Sequence, residues 1–592
     1  MPECYSYEQK SRVNKTSKSQ IMALPSSPLS SPPPSESAGG GGSFSITPQP
    51  PVNYRPTRVL PFELAQHVLI YFEEALYNQA FGLLTSMLSA AAASTDLGAA
   101  AFVPSPTHLA LAATLALHPR LTTRTTSSEK HEQANAALRL LRLTNQIVGP
   151  IGANFGQAFS FRRFELKSSQ FTVVRRWIGG DPGTTSSSSG DSTEVEEKID
   201  TPYAAGESLF SCAEDFWHTV GWAFNCSCLQ STPVYARRWE RWSLWLEFML
   251  QVLEEDWTLR HESGDWKQSL IWQYIQSSSG GSGRSRRIMR AVFAEGMQRT
   301  LNEFREVFKS ELKEPPKDAG QIKKTEVKVS VDDEIYGDWM ENDSDVSDDE
   351  TMVTGGASAF KKRRMREPSS RRITPRNSSR SLRDESENNC GVELDRPSGQ
   401  SAPLLGGVQS LELRLRMLHL LSNVAGKMSD EFVDLDEIYL LFVEFIKPLP
   451  LATFQLIVSP SVYSAFSRDA HTTLCEVMLQ RMLEQSAPAV YSERFLTQSK
   501  MEKVFLPFAA NNTTYEDNAK VSFLLESLMR SLMLGKFLRY RVALEKAVEK
   551  GIEARWIKAS SGSRKSRTRD DTAAACLRES GERMKDIVRR LR

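Results

Sequence analysis

Cysteine is scarce: seven in 592 residues, at Cys4, Cys212, Cys226, Cys228, Cys390, Cys475 and Cys576. An odd, scattered set in a long chain excludes a disulfide framework and reads as a reducing compartment. No apolar run reaches the roughly 18 residues of a membrane-spanning helix, because Glu73 and Glu74 interrupt the best stretch, around 68–88. Excess charge is missing too. A net +1 suggests neither a nucleic-acid binder nor an acidic chaperone at the level of the whole chain. Lys10, Arg12, Lys15 and Lys18 lie among serines with no apolar stretch behind them, which argues against a secretory signal. The absence of acids from Gln9 to Ser35 leaves a mitochondrial presequence as the minor reading.

Catalytic signatures are also missing. Gly280-Gly281-Ser282-Gly283-Arg284-Ser285 lacks the lysine and the preceding strand of a phosphate-binding loop. His131-Glu132 has no second histidine for zinc, and no Gly-x-Ser-x-Gly elbow occurs. The expectation is therefore a protein that is not an enzyme and carries no cofactor. Cys212, His218, Cys226 and Cys228 are potential zinc ligands, but the Cys-x-Cys bite is cramped and buried core cysteines are the commoner case.

What the chain does have is tryptophan. Eight of eleven fall between Trp217 and Trp272. On a helix starting near Pro233, Trp239, Trp242, Leu246, Met249, Leu253 and Trp257 recur at steps of three and four, and Trp245 widens the stripe. Flanking charges are mixed: Arg237, Arg238 and Arg241 against Glu247, Glu254 and Glu255. Stacking on bases would be opposed by the acidic second half, so Trp239, Trp242, Trp245 and Trp257 are read as structural core, their edges covered by arginine stems. A protein-docking groove is the sharper alternative.

Periodicity divides the rest. Residues 1–57 are Ser/Pro/Gly-rich and read as a disordered tail. Residues 58–312 read as a helical domain with a polar insert at 179–200 and a flexible break at 277–285. Within it, Phe62 opens one helical pattern running to Met87, Phe159–Ile178 alternates like strands, and Arg286–Leu312 reads as one amphipathic helix. Residues 313–405 read as a disordered linker and 406–557 as a second helical domain, in which Ser459-Pro460 looks like a helix start. Residues 558–592 read as a basic tail containing an amphipathic helix. The fold class expected is all-α: two helical arrays joined by the linker. A HEAT- or TPR-like solenoid fits that architecture, although no repeat period supports it.

The linker separates its charges. Asp332–Glu350 holds ten acids and no base, and Lys361–Arg383 holds ten bases against Glu367 alone. Lys361-Lys362-Arg363-Arg364 with Arg371-Arg372 has the spacing of a bipartite nuclear import signal, which implies an import receptor and a nuclear location. Ser344 and Ser347 sit in an acidic context resembling a casein-kinase-2 acceptor, and Thr374 follows Arg371-Arg372 like a basophilic-kinase site. Val327–Val331 before Asp332 resembles a SUMO-interacting strand. These features point to a non-enzymatic nuclear scaffold or adaptor, chromatin- or RNA-associated, working through protein partners and without a membrane. The alternatives are direct nucleic-acid binding through 361–383 and 564–592, and an enzyme whose site has no known motif.

Overall fold

The computed structural model describes residues 54–96, 98–161, 199–279, 281–314, 405–459, 466–488, 496–561 and 567–592. They are mostly helical. The pattern that opens at Phe62 becomes two helices rather than one, α1 (Phe62–Glu73) and α2 (Tyr77–Ala93). Between them Ala75 takes φ +55°, and the Leu76 amide donates to the Tyr71 carbonyl at 2.8 Å. This left-handed step turns the chain, so Val68 and Phe72 of α1 share a core with Phe81 and Leu84 of α2. Helix α3 (Pro106–Leu117) has proline in its first turn and the Ser105 hydroxyl accepting from the His108 amide. Ser127 caps α4 (Ser128–Gly152), which packs on both α2 and α3. A parallel pair of three-residue strands, β1 (Thr57–Val59) and β2 (Ala101–Val103), departs from the all-α expectation. Segments that short show no period-two alternation.

Helix α5 (Phe216–Cys228) starts at Asp215, whose carboxylate accepts from the His218 amide at 2.8 Å. Helix α6 (Pro233–Ser263) carries the tryptophan stripe, opens with proline and ends at Gly264, φ +83°. It touches α3, α4 and α5, then α7 (Leu270–Gln276), whereas stacked repeats touch only their sequence neighbours. The helix expected over Arg286–Leu312 is broken. Helix α8 (Arg284–Val292) stops, Gly296 takes φ +74°, and only Gln298–Glu303 is helical again. The cause is Asn225 on α5. Its carboxamide oxygen accepts from Gly296 N and Thr300 Oγ1, both at 2.9 Å, and its nitrogen donates to the Thr300 and Phe304 carbonyls. A buried side chain thus takes up the Gly296 N–H, which a continuous helix would have paired, while the Thr300 carbonyl still accepts from the Phe304 amide. The 277–285 connection is tied down by Asp215, which accepts from Ser279 N at 3.3 Å and from Arg287 at 2.6 Å.

Beyond residue 405 come α9 (Val408–Lys427), α10 (Leu435–Ile446), α11 (Leu451–Val458) and α12 (Arg468–Met482). Ser459 closes α11, its hydroxyl donating to the Gln455 carbonyl at 2.6 Å, and Ser467 is the residue that caps α12. The helix start expected at Ser459-Pro460 falls on residues 460–465, which lie outside the described residues. Helix α13 (Tyr515–Leu534) is followed by Lys536 at φ +61°, and α14 runs over Val542–Ser560. Helix α15 (Arg567–Leu591) makes the most extensive helix pair with α13 and also packs on α14. The expected basic tail thus contributes Leu577, Met584 and Val588 to buried structure. Helix α9 lies on α6 and α10 on α8, so the helices on either side of 315–404 belong to one compact unit with a continuous core. Among the described residues, no helix is long and apolar enough to cross a membrane.

Candidate functional site

The stripe read from the sequence faces inward: Trp239, Trp242, Trp245 and Trp257 are all buried, as are Trp217, Trp222 and Trp272. Burying an indole also buries its N–H, which needs an acceptor. Trp217 donates to the Tyr274 carbonyl at 2.8 Å. Trp222 and Trp242 both donate to one oxygen of Glu311, at 2.9 and 2.8 Å. The Arg238 Nε donates to the same oxygen at 2.6 Å, and the Phe308 amide donates to the other at 3.1 Å. Arg238 and Glu311 are both 0% exposed, and the guanidinium spends its other arm on the Leu117 carbonyl (3.0 Å) and the Thr122 hydroxyl (3.1 Å). A carboxylate that is 0% exposed and already held by four donors is closed to a substrate. Its chemistry is to lock α3, α5 and α6 to the strand of chain that ends at residue 314.

The second stem, residues 406–414, meets the last turn of α5. Gly406, φ +84°, offers its carbonyl to Gln230 at 2.8 Å, and a Cβ there would meet Ser227 Oγ at 2.2 Å. Only glycine fits that approach. Ser227 and Ser410 share a hydrogen bond of 3.0 Å. Arg414, wholly buried, donates to the Val292 and Ala294 carbonyls at 2.5 and 2.9 Å and lies 4.0 Å over the Phe224 ring. Its neutralising environment is the carbonyl-rich ends of α5 and α8. Burial pushes its pKa down to about 10, so it stays charged at neutral pH. Both stems of the 315–404 segment are therefore bolted to α5: Glu311 on Trp222, and Gly406, Ser410 and Arg414 on its last turn.

Lys361, Lys362, Arg363, Arg364, Arg371, Arg372, Ser344, Ser347, Thr374 and Val327–Val331 lie outside the described residues. The potential zinc ligands are separately engaged. His218 accepts from the Glu214 amide at Nδ1 (3.1 Å), and its Nε2 is 2.9 Å from the Arg305 carbonyl, so both ring nitrogens are committed. Burial lowers its pKa, consistent with a neutral ring. Cys212 donates to the Gly206 carbonyl, and the Cys226 thiol is pushed well up by burial. Among the described residues no group of three His, Cys, Asp or Glu side chains is disposed to hold a metal ion.

A groove of about 590 Å³ runs between α6, α9, α10 and α12, with Trp257, His261, Glu262, Lys427, Tyr439 and Asp469 in its lining. Burial holds the Tyr439 phenol up at about 12, so it stays protonated. In the 564–592 tract several bases already have carboxylates: Arg583 with Glu526 (2.7 Å), Arg589 with Asp586 (2.6 Å) and Arg592 with Glu545 (2.6 Å). Sequence reasoning passed over Glu311, Arg414 and Asn225, which organise the stems. No protein-family model matches the chain, and no curated protein or solved structure is similar to it.

Proposed function

We propose that the chain is a non-enzymatic scaffold or adaptor subunit of a nuclear multiprotein complex, chromatin- or RNA-associated. The segment between its two stems would recruit partners. The observation that carries this reading is that both stems are fastened to α5, so the two ends of a charge-segregated stretch of chain are fixed on one helical unit. Lys361–Arg364 and Arg371–Arg372 would engage the import receptor, and phosphate on Ser344, Ser347 or Thr374 would tune partner binding by adding about −1.5 to −2 charge each. Direct nucleic-acid binding through 361–383 and 564–592 is disfavoured in its second half by the carboxylates already paired with Arg583, Arg589 and Arg592.

The test is import. A variant with alanine at Lys361–Arg364 and Arg371–Arg372 is expected to lose nuclear accumulation and to stay folded. Nuclear entry equal to that of the wild type would sink the assignment of these residues as the import signal. Strongly salt-dependent DNA or RNA binding that disappears on deleting 361–383 would move the reading to the nucleic-acid class.

A further inference from the structure

We propose that the groove between α6, α9, α10 and α12 binds an aliphatic ammonium, the head group of a polyamine or of a lysine side chain. The proposal goes beyond the adaptor reading and does not depend on it. A volume of about 590 Å³ is that of a small-ligand site. Trp257 and Tyr439, both mostly buried, form its floor together with Leu435. Methylene groups pack on such a floor, and the faces of tryptophan and tyrosine rings attract an ammonium. Two walls are the ends of helices: the last turn of α6, at His261 and Glu262, and the last turn of α9, at Gly426 and Lys427. The carbonyls of a last helical turn carry partial negative charge, which favours a cation.

The charge around the groove has the same sign. The stretches that frame it, 256–268, 423–439 and 467–473, hold nine Asp or Glu against four Lys or Arg, with histidine counted as neutral. Arg260 pairs with Asp256 and Lys267 with Glu431, which leaves seven acids against Lys427 and Arg468. Helices α10 and α12 enter the groove by their first turns, whose partial positive charge is already offset by Asp436, Glu437 and Asp469. In the lining itself Glu262 and Asp469 outnumber Lys427, and neither acid makes an ion pair or a hydrogen bond among the described residues. Both are exposed, so their carboxylates are open to a guest. Burial, and then the charge of Asp434, hold the Asp436 carboxyl above its ordinary range; a cation would relieve that repulsion. A phosphate or carboxylate would meet the opposite field. An aliphatic stem ending in an ammonium matches the floor and the rim together.

The experiment is isothermal titration calorimetry of the full-length protein at about 0.15 M salt, where distant surface charges are screened. The probes are spermidine, a capped pentapeptide with a central lysine between alanines, the same peptide with norleucine for lysine, and glutarate. Spermidine or the lysine peptide is expected to bind saturably, the norleucine peptide at least tenfold more weakly than the lysine peptide, and glutarate not at all. The tighter of the two amines names the source: spermidine a free polyamine, the peptide a partner's lysine. Glu262→Gln combined with Asp469→Asn, both at exposed positions, should weaken the amine tenfold or more while the protein stays folded. Lys427→Ala, which removes the base from the lining, should tighten it severalfold. No saturable binding of either amine overturns the proposal. Amine binding unchanged in both variants overturns it too, since the amine would then be held elsewhere on the chain. Glutarate binding that is lost in Lys427→Ala reassigns the groove to anions. Nuclear import plays no part in the readout, so failure here leaves the adaptor reading standing, and failure of import leaves the groove.

Discussion

Ser227 and Ser410, 183 positions apart in sequence, share a hydrogen bond of 3.0 Å in a fully buried setting. The long charged segment therefore leaves and rejoins one body rather than bridging two. Replacing residues 317–400 with about a dozen Gly/Ser residues should leave the helical unit folded. Each halving of a loop is worth about 0.6 kcal/mol, so a roughly fivefold shortening should stabilise by about 1–2 kcal/mol in urea unfolding. An unfolded product would show that the segment is needed for the core.

The Glu311 node makes a graded prediction. Trp242→Ala should cost about 3–5 kcal/mol, since the ring is 0% exposed. Trp242→Phe keeps most of the buried area but removes one donor to Glu311, and should cost about 1–3 kcal/mol. Glu311→Gln strips Arg238 of its buried counter-charge and should cost about 3–5 kcal/mol. A near-zero cost for Trp242→Ala would return the tryptophans to the surface-recognition reading.

Arg414 predicts a failure of conservative replacement. Arg414→Met orphans the Val292 and Ala294 carbonyls and should destabilise by about 2–5 kcal/mol. Arg414→Lys keeps the charge but cannot span both carbonyls with a planar fork, and should recover less than half of that loss. Chemical denaturation of the three proteins side by side decides it.

Buried histidines set an acid limit. Desolvation lowers the His108 pKa to about 4; desolvation, then Arg120, Arg238 and Arg124, lowers His118 to about 3. Below pH 6.5 the unfolded chain binds protons that the folded rings refuse. Stability is therefore fully present above about pH 6.5 and falls as the solution is acidified toward pH 4. The slope should reach about 1.4 kcal/mol per pH unit for each ring. Urea midpoints between pH 7.5 and 5 should show a shallower fall in His108→Leu than in wild type; an identical fall would remove His108 from the account.

Long periodic helices were legible because their spacing is local: the α3, α6, α9 and α13 cores follow three- and four-residue steps visible in the chain. The stems were not, because their partners are distant. Glu311 lies 73 residues from Arg238, and Arg414 lies 122 from Val292. Yet both leave a trace in the chain. Glu311 continues the spacing Phe304, Val307, Phe308, and Arg414 falls between Leu411 and Leu415 on an otherwise apolar face. A charged residue placed on an apolar stripe is a buried-pair signal. The break at Gly296 had no local sign beyond the glycine, since Asn225 imposes it from another helix.

Arg414 also sets an order of assembly. The last turn of α8 reaches its hydrogen-bond partner only after another 122 residues have been made, and that of α5 only after 190. At about 5–20 residues per second, the shorter wait is roughly 6–24 seconds in which a nascent chain carries a tryptophan-rich body without its seal. A fragment ending before residue 405 stays in that state permanently. It would present the apolar seat of α9 to chaperones and proteases, so a premature stop between the stems should cost the core more than a cut there after synthesis.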